Sequence, residues 1–229
     1  MKPKKPLGMK SYGSIPHLPG SKTGPKDYCL DDAAAYRVLN KTKEKHDKIQ
    51  VTEKIDGSNV GVLKLNDKLI PLNRAGYNCQ DAPRAIHRTF AKWAYDNYDK
   101  FDDLLNEGER ACGEWLGMVH GTFYDLTNRD PFVIFDIITN HKRDHCQLLR
   151  ERVNSAGLTN VPLIHFGDPK GLSELLYILN DNGYYGAKNK AEGLVFKTER
   201  NKKIVNLCKY VRPEKEPGKY ISLGYFNYR

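Results

Sequence analysis

The order of apolar and polar positions along the chain predicts many short strands with helices inserted between them. The predicted strands span 49–55, 60–65, 68–72, 110–115, 132–138, 193–198 and 203–211. Predicted helices span 33–39, a segment that starts at Pro83, 144–155 and 173–180. The helix from Pro83 rests on Ile86, Phe90 and Trp93, which recur at helical spacing.

Turn residues between the first three predicted strands indicate how these strands are connected. Gly57-Ser58 and Asn66-Asp67 supply the turn chemistry, and each pair predicts a hairpin. Strands in hairpins with inserted helices favour an α+β fold with antiparallel sheets over a doubly wound parallel fold.

Composition indicates one globular unit. Of the 229 residues, 39% are hydrophobic, which is enough to bury a core. We expect residues 1–48 to form a basic arm with a short helix, as part of the same unit as a main domain over residues 49–229. No stretch approaches the roughly 20 apolar residues that span a bilayer, and the basic start of the chain lacks the apolar core of a secretion signal. A soluble, non-exported protein with no membrane partner is therefore expected.

Cysteine spacing bears on the compartment. The five cysteines are scattered, and no two of them form a C-x-x-C pair. This pattern favours reduced thiols over a disulfide framework or a thiolate zinc site. The expected location is the cytoplasm, or the host cytoplasm if the protein is viral.

Charge is distributed unevenly along the chain. Residues 1–50 carry a net charge of +6, residues 51–196 carry −3 and residues 197–229 carry +6, within a total of +9. The basic ends make a polyanion such as nucleic acid a candidate partner. On charge alone, surface lysines that serve solubility explain the pattern equally well.

The most informative segment surrounds Lys54. A strand would place Lys54 and Asp56 on the same face, because side chains alternate, and Gly57 would then permit a sharp turn. Such a lysine is either part of an exposed ion pair or an amine held in a pocket. A nucleophilic lysine must be neutral, whereas only about one in a thousand is neutral near pH 7.5 at the reference pKa of about 10.4. A pocket would have to lower that pKa by burial and by a neighbouring cation or metal.

Other charged residues also stand at strand positions. Lys209 is a lone cation on an otherwise apolar strand face, and Glu192 and Glu114 each adjoin a glycine at a predicted strand. Asp136 interrupts the apolar run 132–138. Each of them alone is explained as a charge at the end of a strand. Together they are more typical of a site for a metal ion and phosphates.

These residues resemble the ordered motifs of the covalent nucleotidyltransferases, the superfamily of polynucleotide ligases and messenger-RNA capping enzymes. Residues 54–59 resemble motif I, K-x-D-G. Further matches follow in family order over residues 51–212: Arg74 (motif Ia), Glu114 (motif III), Phe135-Asp136 (motif IIIa), Glu192-Gly193 (motif IV) and Lys209 (motif V). One motif alone is a weak signal, but the ordered set is specific. Within the superfamily, Glu53, Asn59, Arg74 and the arm segment 14–18 are most similar to the nick-sealing RNA ligases.

The resemblance implies a nucleotidyltransferase (adenylyltransferase) fold with ATP as substrate and Mg²⁺ or Mn²⁺ as the metal. It implies a ligase that joins 3′-OH and 5′-phosphate RNA ends in RNA repair, through a lysyl-AMP intermediate on Lys54. The implied roles are catalysis for Lys54, Asp56 and Lys209, nucleotide binding for Glu53, Asn59, Arg74, Glu114, Phe135 and Lys209, and metal binding for Glu192, with Asp136 as a second candidate.

Two departures from the family pattern stand out. Nick-sealing ligases usually have two motif V lysines separated by one residue. Here Lys209 alone matches, and Arg212 or Lys197 is the candidate for the second charge. About 17 residues follow Arg212, too few for the OB domain that DNA ligases and capping enzymes carry, so none is expected. End specificity is then expected to come from the arm, the face of the main domain or a protein partner.

Two other functions fit parts of the pattern. A DNA ligase or a capping guanylyltransferase core would use the same chemistry, and comparing GTP with ATP, and RNA ends with DNA ends, separates them. A non-catalytic nucleic-acid-binding module would keep the fold. Intact Lys54, Asp56, Glu114 and Glu192 argue against such a module, because decay would be expected to remove them first.

The charge distribution predicts different salt sensitivities for two activities. If the basic ends bind about four RNA phosphates, RNA affinity should fall roughly 100-fold between about 50 and 200 mM salt. AMP transfer to Lys54 should change little, because it does not use the RNA-phosphate contacts of the arm and the tail. Filter binding and adduct formation, measured over the same salt series, check this. Equal salt sensitivity of the two would contradict the assignment.

Overall fold

A computed structural model describes residues 5–216, 218, 224, 225 and 227. The helices found there are α1 (Asp32–Leu39), α2 (Ala85–Asp96), α3 (Tyr98–Leu104), α4 (Cys146–Ser155) and α5 (Leu172–Leu179). The strands are β1 (Lys48–Lys54), β2 (Ser58–Leu65), β3 (Lys68–Asn73), β4 (Glu109–Trp115), β5 (Phe132–Thr139), β6 (Lys142–Arg143), β7 (Leu163–Gly167), β8 (Gly193–Arg200) and β9 (Lys203–Val211). Within this described part, no helix has the length and hydropathy needed to cross a membrane.

The strands form two antiparallel sheets, which we call sheet A and sheet B. Sheet A has the strand order β7-β1-β8-β9, and sheet B has the order β3-β2-β4-β5-β6. The predicted hairpin at Asn66-Asp67 is confirmed, and both residues have positive φ (53° and 54°), as a two-residue hairpin turn requires. The predicted hairpin at Gly57-Ser58 is wrong, because β1 pairs with β7 and β8, whereas β2 pairs with β3 and β4.

Gly57 marks the point where the chain crosses from sheet A to sheet B. A Cβ atom here would lie 2.5 Å from the carbonyl oxygen of Trp115 and 2.9 Å from the side chain of Leu116. The glycine therefore allows the end of β1 to approach the end of β4 closely. Turn chemistry read from the sequence does not distinguish such a crossing from a hairpin.

The sequence pattern does not predict α3, β6 or β7. β6 has two residues, and β7 is an edge strand whose residues are all at least partly exposed. Neither contains the buried run by which a strand is recognised. α3 has seven residues and buries two of them, Phe101 and Leu104, which is too few to establish a helical period.

Helices cover one face of each sheet and leave the other face free to line a cleft. Helices α2, α3 and α4 bury an aromatic cluster against sheet B, in which Phe90 contacts Trp115 and Phe132. Helices α1 and α5 pack against sheet A around Ile49 and Phe196. The remaining faces of the two sheets contribute residues to a shared cavity.

The N-terminal arm is extended, but it packs closely on both sheets. The backbone N–H of Tyr12 donates to the carbonyl oxygen of Arg74 in the loop after β3 (3.3 Å). Further along, the N–H of Leu18 donates to the carbonyl of Lys209 on β9, whose own N–H donates to the carbonyl of Pro16. Tyr12, His17 and Leu18 are buried. The arm therefore bridges the two walls of the cleft.

The aromatic cluster predicts a large stability loss on truncation. Replacing Phe90 with alanine should lower the free energy of unfolding by about 3–5 kcal/mol, because it removes ring contacts that join α2 to sheet B. The neighbouring exposed residue gives the control, since Thr89→Ala should change stability by less than about 0.5 kcal/mol. Urea denaturation measures both. A similar small change for both variants would show that the cluster does not join helix and sheet.

Candidate active site

Strand pairing brings Lys54 and Glu192 together on the floor of the cleft. Lys54 ends β1 and pairs with Gly193 at the start of β8, so Glu192 lies directly before that pairing. Lys54 Nζ lies 2.5 Å from Glu192 Oε2. The Lys54 side chain is 21% exposed and the Glu192 side chain 8% exposed. The two charges therefore face each other in a largely buried site.

The charges around Lys54 keep it protonated in the resting protein. Burial lowers the pKa of Lys54, but the carboxylates of Glu192, Glu114 and Asp56 outweigh burial and raise it. Burial raises the pKa of Glu114 to about 8 and that of Glu192 to about 7. These protein groups alone therefore do not supply the lowered lysine pKa that nucleophilic attack would require.

Asp56 lies just after the end of β1, and its carboxylate is held by a backbone amide and a hydroxyl group. Because β1 ends at Lys54, the argument that alternation places both side chains on one strand face is wrong. Asp56 Oδ2 accepts hydrogen bonds from Gly121 N (2.8 Å) and Thr122 Oγ1 (3.1 Å). The N–H of Asp56 donates to the hydroxyl of Tyr124 (2.9 Å). These contacts fix the carboxylate close enough to Lys54 to raise its pKa.

One cavity brings together all six predicted nucleotide-binding residues. Lys54 lies in this cavity, and the sequence-predicted residues that line it with Lys54 are Glu53, Asn59, Arg74, Glu114, Phe135 and Lys209. Sheet A supplies the lysines, and sheet B with its loops supplies the others except Glu53. The cavity therefore spans the two sheets. Lys54 lines it, whereas its partner Glu192 and the nearby Asp56 lie outside the lining.

The arm forms a third wall of this cavity. Tyr12, Gly13 and Ile15 line it, and the Tyr12 ring packs edge-on against Phe135, with 5.1 Å between ring centroids. Arg74 Nη2 donates to Ser14 Oγ (3.0 Å). Sequence reasoning placed the 14–18 segment in the family pattern but did not identify Tyr12. Its signal in the sequence is a single aromatic residue two positions before that segment.

Of the two candidates for a second motif V cation, Lys197 lies in the cavity. Its Nζ donates to the Phe135 carbonyl and to Asp136 Oδ1, both at 2.6 Å. Arg212 instead donates to the carbonyl of Asn180 (2.7 Å) and does not line the cavity.

Lys209, the matched motif V lysine, also lines the cavity. Burial and the nearby Lys54 lower the pKa of Lys209.

Asp136 is fully buried and is the centre of a network of ionic and hydrogen-bonded contacts. Besides Lys197, its carboxylate accepts from the Tyr12 hydroxyl (2.8 Å) and Arg143 Nε (3.1 Å). Both oxygens are used by these donors. The contacts favour Asp136 as the counter-ion of Lys197 over the predicted role of metal ligand.

The Glu53 carboxylate binds backbone amides of the 184–185 loop. Alternation along β1 directs its side chain to the face opposite Lys54. Its Oε2 accepts from the backbone N–H groups of Tyr184 (2.7 Å) and Tyr185 (3.1 Å), and burial raises the pKa of Glu53 to about 7. The contacts favour a role in fixing the loop behind the cavity.

The carboxylates around Lys54 have the donor chemistry of a magnesium site. Burial raises the pKa values of Glu114 and Glu192, although the charge of Lys54 acts to lower them. Over the described residues, no three His, Cys, Asp or Glu side chains are grouped closely enough to enclose a metal ion. Mg²⁺ commonly takes one or two carboxylates and completes its shell with water and substrate phosphates. Because such a site needs few protein ligands, the carboxylates beside Lys54 fit Mg²⁺ in their donor chemistry.

A buried lysine in an acidic cluster, between two antiparallel sheets and close to an aromatic ring, is the arrangement expected of a covalent nucleotidyltransferase. A family model described as RNA ligase matches residues 47–211. The chain belongs to the RNA ligase family. Among curated proteins, the uncharacterized protein MJ0414 of Methanocaldococcus jannaschii is 25% identical over 136 residues, covering 56% of this chain and 32% of that protein.

Solved structures share the fold. An archaeal ATP-dependent RNA ligase has a TM-score of 0.50 at 21% identity, over 72% of this chain and 43% of its own. A variant of the Naegleria gruberi RNA ligase, solved with ATP and Mn, has a TM-score of 0.56 at 17% identity, over 89% of this chain and 61% of its own. The predicted nucleotidyltransferase fold is thereby confirmed. The chain spans about a third of the curated relative and less than two thirds of each of these ligases.

The assignment of Asp136 as a counter-ion predicts a stability effect. Asp136→Ala should lower the free energy of unfolding by about 3–5 kcal/mol, because it leaves Lys197 buried without its carboxylate. Asp168→Ala, which breaks an exposed pair with Lys48, is the control and should cost less than about 1 kcal/mol. Urea denaturation measures both. If Asp136→Ala kept full stability and lost activity, a direct role at the metal would be supported instead.

Proposed function

We propose that the protein is an ATP-dependent RNA ligase that joins a 3′-OH end to a 5′-phosphate end through a lysyl-AMP intermediate. The observation that carries the proposal is the placement of Lys54 Nζ on the floor of a cavity whose walls hold Glu114, Phe135, Arg74 and Lys209. Membership of the RNA ligase family supports it. A role in RNA repair accords with this chemistry.

The proposed reaction has three steps. First, Lys54 Nζ attacks the α-phosphorus of ATP; a nitrogen–phosphorus bond forms, the bond to pyrophosphate breaks, and the amine loses its proton. The AMP then passes from Lys54 to the 5′-phosphate end of the RNA. Finally, the 3′-OH attacks that phosphate and displaces AMP, which closes the strand.

The cavity walls support specific roles in nucleotide binding. Phe135 offers a ring face to adenine, Glu114 can accept hydrogen bonds from the ribose hydroxyls, and Arg74 and Lys209 supply positive charge for phosphate oxygens. Asn59 has a buried side-chain oxygen with no partner within the described structure, which leaves it available to the nucleotide. Positioning and charge neutralisation account for most of the catalysis expected in phosphoryl transfer.

Glu192 is the group that holds the Lys54 amine in the protein without substrate. Its Oε2 accepts a hydrogen bond from Nζ at 2.5 Å. This contact fixes the position of the amine at the end of β1. Bound Mg²⁺, held by Glu192, would supply a Lewis acid for the substrate phosphates and would favour the neutral amine.

RNA ends are expected to approach over basic surface at the mouth of the cleft. The arm carries much of the excess positive charge and packs beside the cavity. The predicted tail surface, residues 219–229, lies almost entirely outside the described residues. End specificity remains assigned to the arm, the face of the main domain or a protein partner.

Adduct formation tests the proposal directly. Incubation with ATP and Mg²⁺ should add roughly 329 Da to the protein, the mass of AMP less water, on a covalent nucleophile. Lys54→Ala should abolish the adduct completely. Lys48→Ala, on the same strand but in an exposed pair, should leave it unchanged. Intact-mass spectrometry reads all three, and an adduct that survives Lys54→Ala would overturn the mechanism.

Substrate comparisons then separate the related activities. ATP should label the protein and GTP should not, and the labelled protein should seal RNA ends more efficiently than DNA ends. Labelling by GTP would indicate a capping enzyme, and exclusive sealing of DNA would indicate a DNA ligase. Defined nicked and single-stranded RNA substrates, scored for joined product, identify the preferred end.

A further inference from the structure

Lys215 is a buried lysine outside the residues that the family model matches. It follows β9 and is 5% exposed. Its Nζ donates to Thr122 Oγ1 (2.8 Å), the carbonyl oxygen of Lys190 (2.8 Å) and the carbonyl oxygen of Gly121 (3.2 Å). The three hydrogens of the ammonium group are thus all used in contacts within the protein.

Two of these partners belong to the residues that hold Asp56, and one of them, the Thr122 hydroxyl, is shared. The Thr122 hydroxyl donates to Asp56 Oδ2, and so does the backbone N–H of Gly121. An ammonium group has no acceptor, so the Thr122 hydroxyl must accept from Lys215 and direct its own hydrogen to Asp56. The hydrogen bonds therefore run in one direction, with Lys215 donating to Thr122 and Thr122 donating to Asp56.

Close packing at Gly121 supports the same connection. A Cβ atom at Gly121 would lie 2.9 Å from Asp56 Oδ2 and 2.7 Å from the carbonyl oxygen of Glu216. Asp56 and the segment containing Lys215 therefore approach this glycine closely enough that no side chain fits there. A shift of the 215–216 segment would be transmitted to the Gly121 amide and to the carboxylate that it binds.

The third partner ties the same lysine to the segment that precedes β8 and contains Glu192. The Lys190 carbonyl is two residues before Glu192, and the N–H of Arg212 donates to the Glu192 carbonyl (2.9 Å). Burial lowers the pKa of Lys215, whereas the negative charges of Asp56 and Glu192 act in the opposite direction. Lys215 thus lies behind the acidic cluster whose front is occupied by Lys54.

We infer that Lys215 is a positioning residue, which clamps the 121–122 loop to the segment before Glu192 and so fixes the Asp56 carboxylate relative to Lys54. The inference rests on the proposed function in one respect, namely that Asp56 takes part in ligation. Lys215 itself does not line the cavity and acts through Asp56.

Kinetics of three variants test the inference. Lys215→Gln should lower the single-turnover rate of RNA sealing about 100-fold, the scale expected for a misplaced catalytic group. The ATP concentration that gives half-maximal rate should change little, and Lys215→Arg should restore part of the rate. The control is Lys188→Gln, which alters an exposed pair with Asp125. A rate for Lys215→Gln equal to that of the control would overturn the inference.

A double-mutant cycle distinguishes positioning from general destabilisation. If Lys215 acts through Asp56, then adding Lys215→Gln to Asp56→Asn should lower the rate less than about threefold further. If the rate losses of the two single variants multiply fully in the double variant, Lys215 does not act through Asp56. All variants are compared at a temperature at which circular dichroism shows them folded.

Hydrogen exchange of the free protein gives a readout that needs no catalysis. The amide of Gly121 should lose protection in Lys215→Gln and recover part of it in Lys215→Arg, while Lys188→Gln leaves it unchanged. Unchanged protection in Lys215→Gln would overturn the inference even if the enzyme is active.

Absence of any AMP adduct on the wild-type protein would instead overturn the proposed function. The exchange result would still decide whether Lys215 fixes the position of Asp56. If Lys215→Gln does not fold, Lys215→Arg carries the comparison. Partial loss of Gly121 protection together with a reduced sealing rate would then support the clamp, and full protection with an unchanged rate would overturn it.

Discussion

The site depends on the ion pair between Lys54 and Glu192, and that pair depends on the register of β1 against β8. Pairing of Lys54 with Gly193 places the carboxylate of the preceding residue beside the amine. A slip by one residue would turn Lys54 to the opposite face of sheet A, toward the apolar side covered by α1 and α5. The hydrophobic residues on that face therefore also determine where the reactive amine lies.

The crossing at Gly57 explains why one short segment contributes to both walls of the cleft. Lys54 ends a strand of sheet A, and Ser58 begins a strand of sheet B. The close approach of Gly57 to Trp115 keeps the sheets near each other at the floor of the cavity. The arm then bridges the walls at the mouth, through backbone contacts to Arg74 and Lys209. The separation of the two sheets is thus fixed at both ends of the cleft.

Sequence predicted seven of the nine described strands, because alternation of apolar residues is a local pattern. It predicted the β2–β3 hairpin but wrongly paired β1 with β2, since Gly57-Ser58 has the same composition in a crossing as in a hairpin. It also could not assign the contacts of Asp136 or Glu53, which depend on partners remote in sequence. The Tyr12 hydroxyl bond to Asp136 joins positions 124 residues apart, and Lys215 binds a carbonyl 94 residues away. Such contacts follow from the assembled sheets, and no spacing along the chain encodes them.

The balance of charge at the site follows from these long-range contacts. Lys54 faces three carboxylates, and burial leaves two of them with raised pKa values, so the cluster is short of positive charge. Within this cluster, Asp56 is held by hydrogen bonds and not by a salt bridge. Its carboxylate accepts from the Gly121 amide and the Thr122 hydroxyl, and that hydroxyl in turn accepts from Lys215. Support by dipoles holds a carboxylate in place without neutralising it. The position of the Asp56 carboxylate is therefore fixed by the protein without an ion pair that would neutralise it.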